Sequence, residues 1–220
     1  PFSVKKWNVD LEETYDRFTG FGMPPEGCAD YAFLLHMLKS MDPDHGRAAI
    51  ILPHGVLFRG GQEELIRENL IKKGYIEGII GLPANLFYGT GIPACIIVLD
   101  KKDAPYRKNV FIIDASKNFV KDGNKNKLRE QDIKKIIDTY TGRIEEEKYS
   151  KNVSMEDVET EEYNLNIPRY VDASVEEMKP DLKAHLLGGI PMVDVDGFDS
   201  YWKVAPNLKN ELFSSNSKKG

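Results

Sequence analysis

The chain has 220 residues, long enough to bury a sizeable core without disulfides or metals. Thirty Lys and Arg against 35 Asp and Glu leave a net charge of −5. That balance excludes a uniformly basic nucleic-acid wrapper but leaves room for a basic patch on one face. Cys28 and Cys95, the two cysteines, exclude a disulfide framework and a Cys-rich zinc module and fit a reducing cytoplasm.

In chain order, residues 1–27 read as loop, punctuated by Gly20, Gly22, Pro24, Pro25 and Gly27. Leu34, Met37, Leu38 and Met41 fall at helical spacing and predict a helix over 29–41, with Asp30 near its start complementing the helix dipole. The short apolar run Arg47 to Pro53 has the pattern of a strand buried on both faces. Leu65, Ile66 and Leu70 predict a helix over 62–73 that stops at Gly74. Further strands are expected over 75–80, 94–99 and 110–114. The longest apolar run, Ala94 to Leu99, falls far short of the roughly 20 residues that span a bilayer. The Gly- and Pro-rich loop between the second and third strands, which carries Phe87 and Tyr88, is too short for a crossover helix. These two strands are therefore expected to be antiparallel neighbours. The fold class is α/β, part of a sheet with an antiparallel pair at one edge.

Beyond residue 100 the charge segregates. Residues 101–135 hold eleven Lys/Arg and five Asp/Glu, and residues 141–180 hold the reverse, a +6 block beside a −6 block. Ile133, Ile136, Ile137 and Tyr140 predict a helix over 131–140. Past 170 the pattern is weakly helical or loop, and the tail 214–220 reads as frayed.

The usual chemical signatures are sparse. His36, His45, His54 and His185 show no metal-ligand spacing with each other or with the cysteines. His36 sits within a helix and reads as a packed or partly exposed side chain. His54 follows a strand in Leu52-Pro-His-Gly55, where active-site loops often sit, but it reads more simply as a structural residue than a catalytic one. There is no nucleophile elbow, and Gly89-Thr-Gly91 precedes a strand rather than a helix, so it is not a dinucleotide loop.

Several longer motifs occur in register: Ala29-Asp-Tyr-Ala-Phe-Leu-Leu-His-Met-Leu38, Ile51-Leu-Pro-His-Gly-Val-Leu-Phe-Arg-Gly-Gly61, Ile80-Gly-Leu-Pro-Ala-Asn-Leu-Phe-Tyr-Gly-Thr-Gly-Ile-Pro93, Phe111-Ile-Ile-Asp-Ala-Ser116 and Tyr163-Asn-Leu-Asn-Ile-Pro-Arg-Tyr170. Together they closely resemble the methylation subunit of type I restriction-modification systems, over roughly residues 1–170. The resemblance implies an N6-adenine DNA methyltransferase using S-adenosylmethionine. The implied fold is the C-terminal half of a Rossmann-like methyltransferase sheet with an antiparallel edge strand, plus a mixed, partly helical C-terminal region. It implies a division at residue 118, with the second half of the catalytic domain in 1–118 and an extension in 119–220.

That family carries Asn-Pro-Pro followed by Phe or Tyr at the end of a strand, and Pro1-Phe2-Ser3 with Trp7 matches the second half of the motif. By this resemblance the Asn oxygen and a Pro carbonyl would accept the hydrogens of adenine's amino group. Phe2 would stack on the flipped-out base, with Pro1 as adjacent wall. The Asn, the first Pro and the main cofactor site are expected upstream of Pro1. The chain is thus expected to be an internal or C-terminal fragment, inactive alone. Phe87 and Tyr88 either contact the target base or pack and cover the core. Lys121, Lys125, Lys127 and Arg129 either contact DNA phosphate or form a solvated surface. The implied partners are DNA, a type I specificity subunit and a restriction subunit, with no membrane and a cytoplasmic location. The competing reading is a non-catalytic module docking on a specificity subunit.

Overall fold

The computed structural model describes residues 2–7, 15–172, 186, 188, 190–204 and 207–214. Pro1, His185 and all of the tail beyond Ser214 lie outside the described residues. The chain forms two compact units, 1–174 and 175–220. In the second, three short helices (Met192–Asp196, Asp199–Val204 and Leu208–Leu212) bring the Trp202 ring against Phe198 and Phe213, and the Trp202 indole N–H donates to the Val195 carbonyl at 2.6 Å.

The first unit is built on a five-stranded sheet. Its elements are α1 (Asp30–Ser40), β1 (Arg47–Pro53), α2 (Gln62–Lys72), β2 (Ile76–Gly81), β3 (Ala94–Asp100), β4 (Asn109–Asp114), β5 (Val120–Asp122), β6 (Lys125–Lys127), α3 (Glu130–Gly142), β7 (Ser150–Ser154) and α4 (Met155–Thr160). The strand order is β1-β3-β2-β4-β7, with β5 and β6 forming a separate hairpin. β3 pairs antiparallel with both β1 and β2, β2 pairs parallel with β4, and β7 closes the far side antiparallel to β4.

Strand alternation sorts the core into two layers. Ile79, Ile97, Val110 and Ile112 point to one face, where Leu34, Leu35 and Leu38 of α1 and Ile66, Leu70 and Ile71 of α2 cover them. Ile80, Phe111 and Ile113 point to the other, under Ile136 of α3. Helices on both faces of a short-looped sheet make a three-layer α/β unit.

Three expectations need correction. β1 is not buried on both faces: Arg47, Ala49 and Ile51 are exposed, because α3 stands over β2 and β4 and does not reach this edge. The sheet does have an antiparallel edge strand, β7, but the expected antiparallel pair β2–β3 lies inside it. β7 also carries the sheet beyond residue 118, so the compact units divide near 174 instead. β7 has the sequence Ser-Lys-Asn-Val-Ser and buries only Ser150 and Val153, so no apolar run announced it. The β5–β6 hairpin, by contrast, turns on Gly123-Asn124, a legible two-residue hairpin signal.

Gly74 ends α2 as the sequence predicts. Its φ is +69°, its N–H donates to the Ile71 carbonyl at 2.8 Å, and an added Cβ would lie 2.0 Å from the Ala104 carbonyl oxygen. Gly74→Ala is expected to destabilise the unit by about 1–3 kcal/mol, read as a lower urea midpoint with an unchanged slope. An unchanged midpoint would show that Ala104 moves aside without cost.

Candidate active site

β1, β2 and β4 run the same way, so their carboxyl ends open at one end of the sheet, where α/β proteins bind ligands. His54 follows β1, the 82–93 loop follows β2, and Ala115-Ser116 follows β4. The N-terminal segment reaches the same place. Phe2 and Phe87 meet edge to face, with ring centroids 5.5 Å apart and planes at 87°. Both rings are half-buried, whereas Tyr88 is 94% exposed. The structure thus brings together Phe2 and Phe87 and leaves the Tyr88 side chain pointing to solvent.

The Phe2 segment is tied down residue by residue. The Ser3 N–H donates to Asp30 Oδ1 at 2.7 Å, the Ala29 N–H to the Val4 carbonyl at 2.9 Å, and the Trp7 indole N–H to the Pro25 carbonyl at 3.0 Å. Trp7 also packs edge-on against Phe18. Ser3 has a φ of +51°, a left-handed conformation that a non-glycine residue keeps only when its surroundings hold it.

Asp30 is fully buried in the first turn of α1. Its Oδ2 accepts from Arg59 Nη2 at 2.6 Å, and Arg59 also forms a forked ion pair with the buried Glu63. The hydrogen bonds it donates to Glu63, then to Asp30, hold the Arg59 guanidinium far above its ordinary pKa against the opposing effect of burial. Cys28, Asp30 and Glu63 place potential metal ligands within 4.8 Å of one another, but a guanidinium already supplies the positive charge among them. Burial pushes the Cys28 thiol up as well, against metal or nucleophile use. Sequence reasoning read Asp30 only as a helix-dipole residue and passed over Arg59. The available signal was an acid and a base within the two motifs that flank this end of the sheet.

The 82–93 loop has its own clamp. Lys125 Nζ donates to the carbonyls of Phe87 and Thr90, at 2.7 and 3.1 Å. The Asn126 backbone N–H and side-chain amide donate to the carbonyls of Asn85 and Ala84, at 3.0 and 2.7 Å. Of the four candidate phosphate contacts, Lys125 is therefore directed into the protein. Arg129 forms a forked pair with Asp132 at the start of α3, at 2.9 Å. Lys121 and Lys127 stand exposed on the hairpin.

The segment 163–170 supports the same end from below. Buried Arg67 donates to the carbonyls of Tyr163, Val56 and Arg59, and the Leu165 N–H donates to Leu57. The Ile167 side chain packs so tightly on Gly81 that a Cβ there would come within 2.7 Å of its Cδ1.

His54 lies beside Gly81 and Asp114, with its Nε2 buried and without a hydrogen-bond partner among the described residues. Burial lowers its pKa below the ordinary 6.5, with Asp114 opposing the shift. The native state therefore favours neutral imidazole, and the unfolded chain takes up the proton first as pH falls. The stability His54 contributes is complete above about pH 6.5 and is lost as pH drops toward the folded value. His54→Gln is expected to flatten the pH dependence of the urea midpoint between about pH 7.5 and 5.5. Parallel pH profiles for parent and variant would contradict this.

Comparison with known proteins places the whole fold in a family. The N-6 DNA Methylase family model matches residues 1–179. The chain is 35% identical over 187 residues to the type I restriction enzyme MpnII methylase subunit of Mycoplasma pneumoniae, covering 83% of this chain and 34% of that protein. It is 36% identical over 187 residues to the MjaVII methylase subunit of Methanocaldococcus jannaschii, covering 83% and 32%. The structure is similar to the type I restriction-modification methyltransferase subunit of Streptococcus thermophilus, with a TM-score of 0.72 and 44% identity over 78% of this chain and 36% of that one. The chain thus spans about a third of the length of these relatives. It belongs to the N-6 DNA methylase family.

Proposed function

We propose that this chain supplies the base-binding side of a type I restriction-modification adenine DNA methyltransferase, which transfers a methyl group to the N6 amino group of adenine. The observation that carries this reading is the Phe2–Phe87 pair. One ring comes from the segment that resembles the end of the family's catalytic motif. The other comes from the loop after β2, and independent hydrogen bonds fix the backbone of each. A target adenine leaving the duplex needs an apolar face to replace lost base stacking, and two half-buried rings at the mouth of the sheet offer one. In this reading Phe2 takes the face of the base, Pro1 lies beside it, and Phe87 swings from its edge contact to flank the base. Tyr88, exposed on the same loop, closes over the outer side.

Members of this family generally use S-adenosylmethionine as methyl donor. Of the acidic side chains at this end, Asp30 is taken up by Ser3 and Arg59, while Asp114 accepts the Ser116 N–H on Oδ1. The chain's residues are read as binding and orienting the base, with no step assigned through the donor. DNA, a specificity subunit and a restriction subunit are the partners of this reading, and the cytoplasm its location. Lys121 and Lys127 are its exposed candidates for phosphate contact, while Lys125 and Arg129 act on the protein's own backbone. Among the described residues no helix is long and apolar enough to cross a membrane.

The test is made in a methylase subunit containing this segment, with base capture followed on DNA carrying 2-aminopurine at the target position and methyl transfer measured on the same DNA carrying adenine there. Phe2→Ala is expected to weaken capture of the flipped base by about 1–3 kcal/mol, seen as a smaller fluorescence change and a lower kcat/KM for methyl transfer. Phe87→Ala is expected to weaken base capture more than it lowers thermal stability. Equal losses of both would return Phe87 to a packing role, and parent-like behaviour of Phe2→Ala would overturn the function proposed.

A further inference from the structure

The carboxylate of Asp30 makes no hydrogen bond to a backbone N–H of its own helix among the described residues. It sits in the first turn of α1, yet both oxygens are turned away to other parts of the chain: Oδ1 to the Ser3 N–H at 2.7 Å, Oδ2 to Arg59 Nη2 at 2.6 Å, with the Ser3 hydroxyl at 3.3 Å and the Cys28 thiol at 3.2 Å. Asp30 shares the charge of Arg59 with Glu63, so its remaining lone pairs call for other donors. Reaching the N–H immediately after Phe2 is an additional feature, and it coincides with the left-handed backbone of Ser3. Arg59 in turn forks onto Glu63 of α2. The backbone at Phe2 is therefore connected through Ser3, Asp30, Arg59 and Glu63 to two helices of the core.

We infer that Asp30 and Arg59 are positioning residues for base capture. By fixing the backbone at Ser3 they set the direction of the Phe2 ring and so the gap between Phe2 and Phe87 into which the base must enter. Neither side chain touches the base. Stacking needs the ring plane at a defined height and tilt, and a displacement of about 1 Å away from the reacting atoms is enough to cost on the order of 100-fold in rate. A purely structural role for the same ion pair predicts lost stability without a change in the base-capture step. This inference rests on the reading of Phe2 as the stacking residue.

The experiment uses the methylase subunit containing this segment, bound to its specificity subunit, with DNA carrying 2-aminopurine at the target position for fluorescence and DNA carrying adenine there for turnover. Asp30→Ala is expected to lower kcat/KM on the order of 100-fold and to remove most of the fluorescence change, with the KM for the methyl donor unchanged. Asp30→Asn, which keeps an oxygen for the Ser3 N–H, is expected to recover much of the fluorescence change even though its ion pair with Arg59 is lost. Arg107→Ala breaks an ion pair and backbone contacts at the opposite end of the sheet. It should lower thermal stability and leave the fluorescence as in the parent. If Asp30→Ala does not fold, Arg59→Lys replaces it, keeping the charge but losing the fork, and is expected to show a smaller fluorescence defect in the same direction, because Asp30 keeps its bond to the Ser3 N–H. Parent-like fluorescence and turnover in the folded Asp30 or Arg59 variants, measured well below their melting temperatures beside a defective Phe2→Ala, would overturn the positioning role alone. Parent-like Phe2→Ala would overturn the base-stacking reading and this inference with it.

Discussion

The interaction on which this end of the molecule depends is the buried ionic group of Asp30, Arg59 and Glu63. Two carboxylates, 0% and 3% exposed, share one guanidinium. Removing charges from water is expensive, and such a group persists only where the geometry is close and the remaining lone pairs are used. Here they are used by the chain itself, through the backbone and hydroxyl of Ser3 and the thiol of Cys28. The consequence is architectural. Asp30 belongs to α1, Glu63 to α2, and Arg59 to the segment between β1 and α2, so one cation fastens three parts of the chain to a fourth, the segment at Phe2.

The second constraint is the order of strands. β3 inserts antiparallel between β1 and β2, which places the 82–93 loop directly over the carboxyl ends of the parallel strands. A loop with Asn85 and Gly89 in left-handed conformations needs outside support, and the β5–β6 hairpin supplies it through Lys125 and Asn126. The two rings are thus held by unrelated devices, an ionic cluster on one side and a lysine–carbonyl clamp on the other. Family membership places these features in an N-6 DNA methylase. The division of labour proposed above assigns this chain the holding of the base.

Much of the fold was legible because period and length are physical signals. The three main helices and the four apolar strands lie within a residue or two of where periodicity and apolar runs place them, since each buries a continuous stripe or face. The antiparallel pairing of β2 with β3 followed from the short loop alone. β7 was not legible, because an edge strand with two buried residues carries no apolar run. The exposure of β1 was missed because a run such as Ala-Ala-Ile-Ile-Leu reads as two-sided burial whether or not a helix covers both faces. At the site, Phe2 and Phe87 emerged from motif resemblance, not from pattern. The ionic group was invisible in one dimension: Asp30 and Arg59 are 29 residues apart, and each alone reads as an ordinary surface charge. Lys125 and Arg129 taught the same lesson in reverse, since a basic block seen in sequence proved to contain cations that serve the backbone and a helix start.

The most direct test of this account is amide hydrogen exchange at Ser3 in the 220-residue chain, compared with its Asp30→Ala variant. The account predicts that the Ser3 amide, bonded to a buried carboxylate, is protected in the parent and loses that protection in the variant, while amides of β4 such as Ile112 stay protected in both. A Ser3 amide that exchanges in the parent at the rate of an open peptide, or that keeps its protection without Asp30, would contradict it.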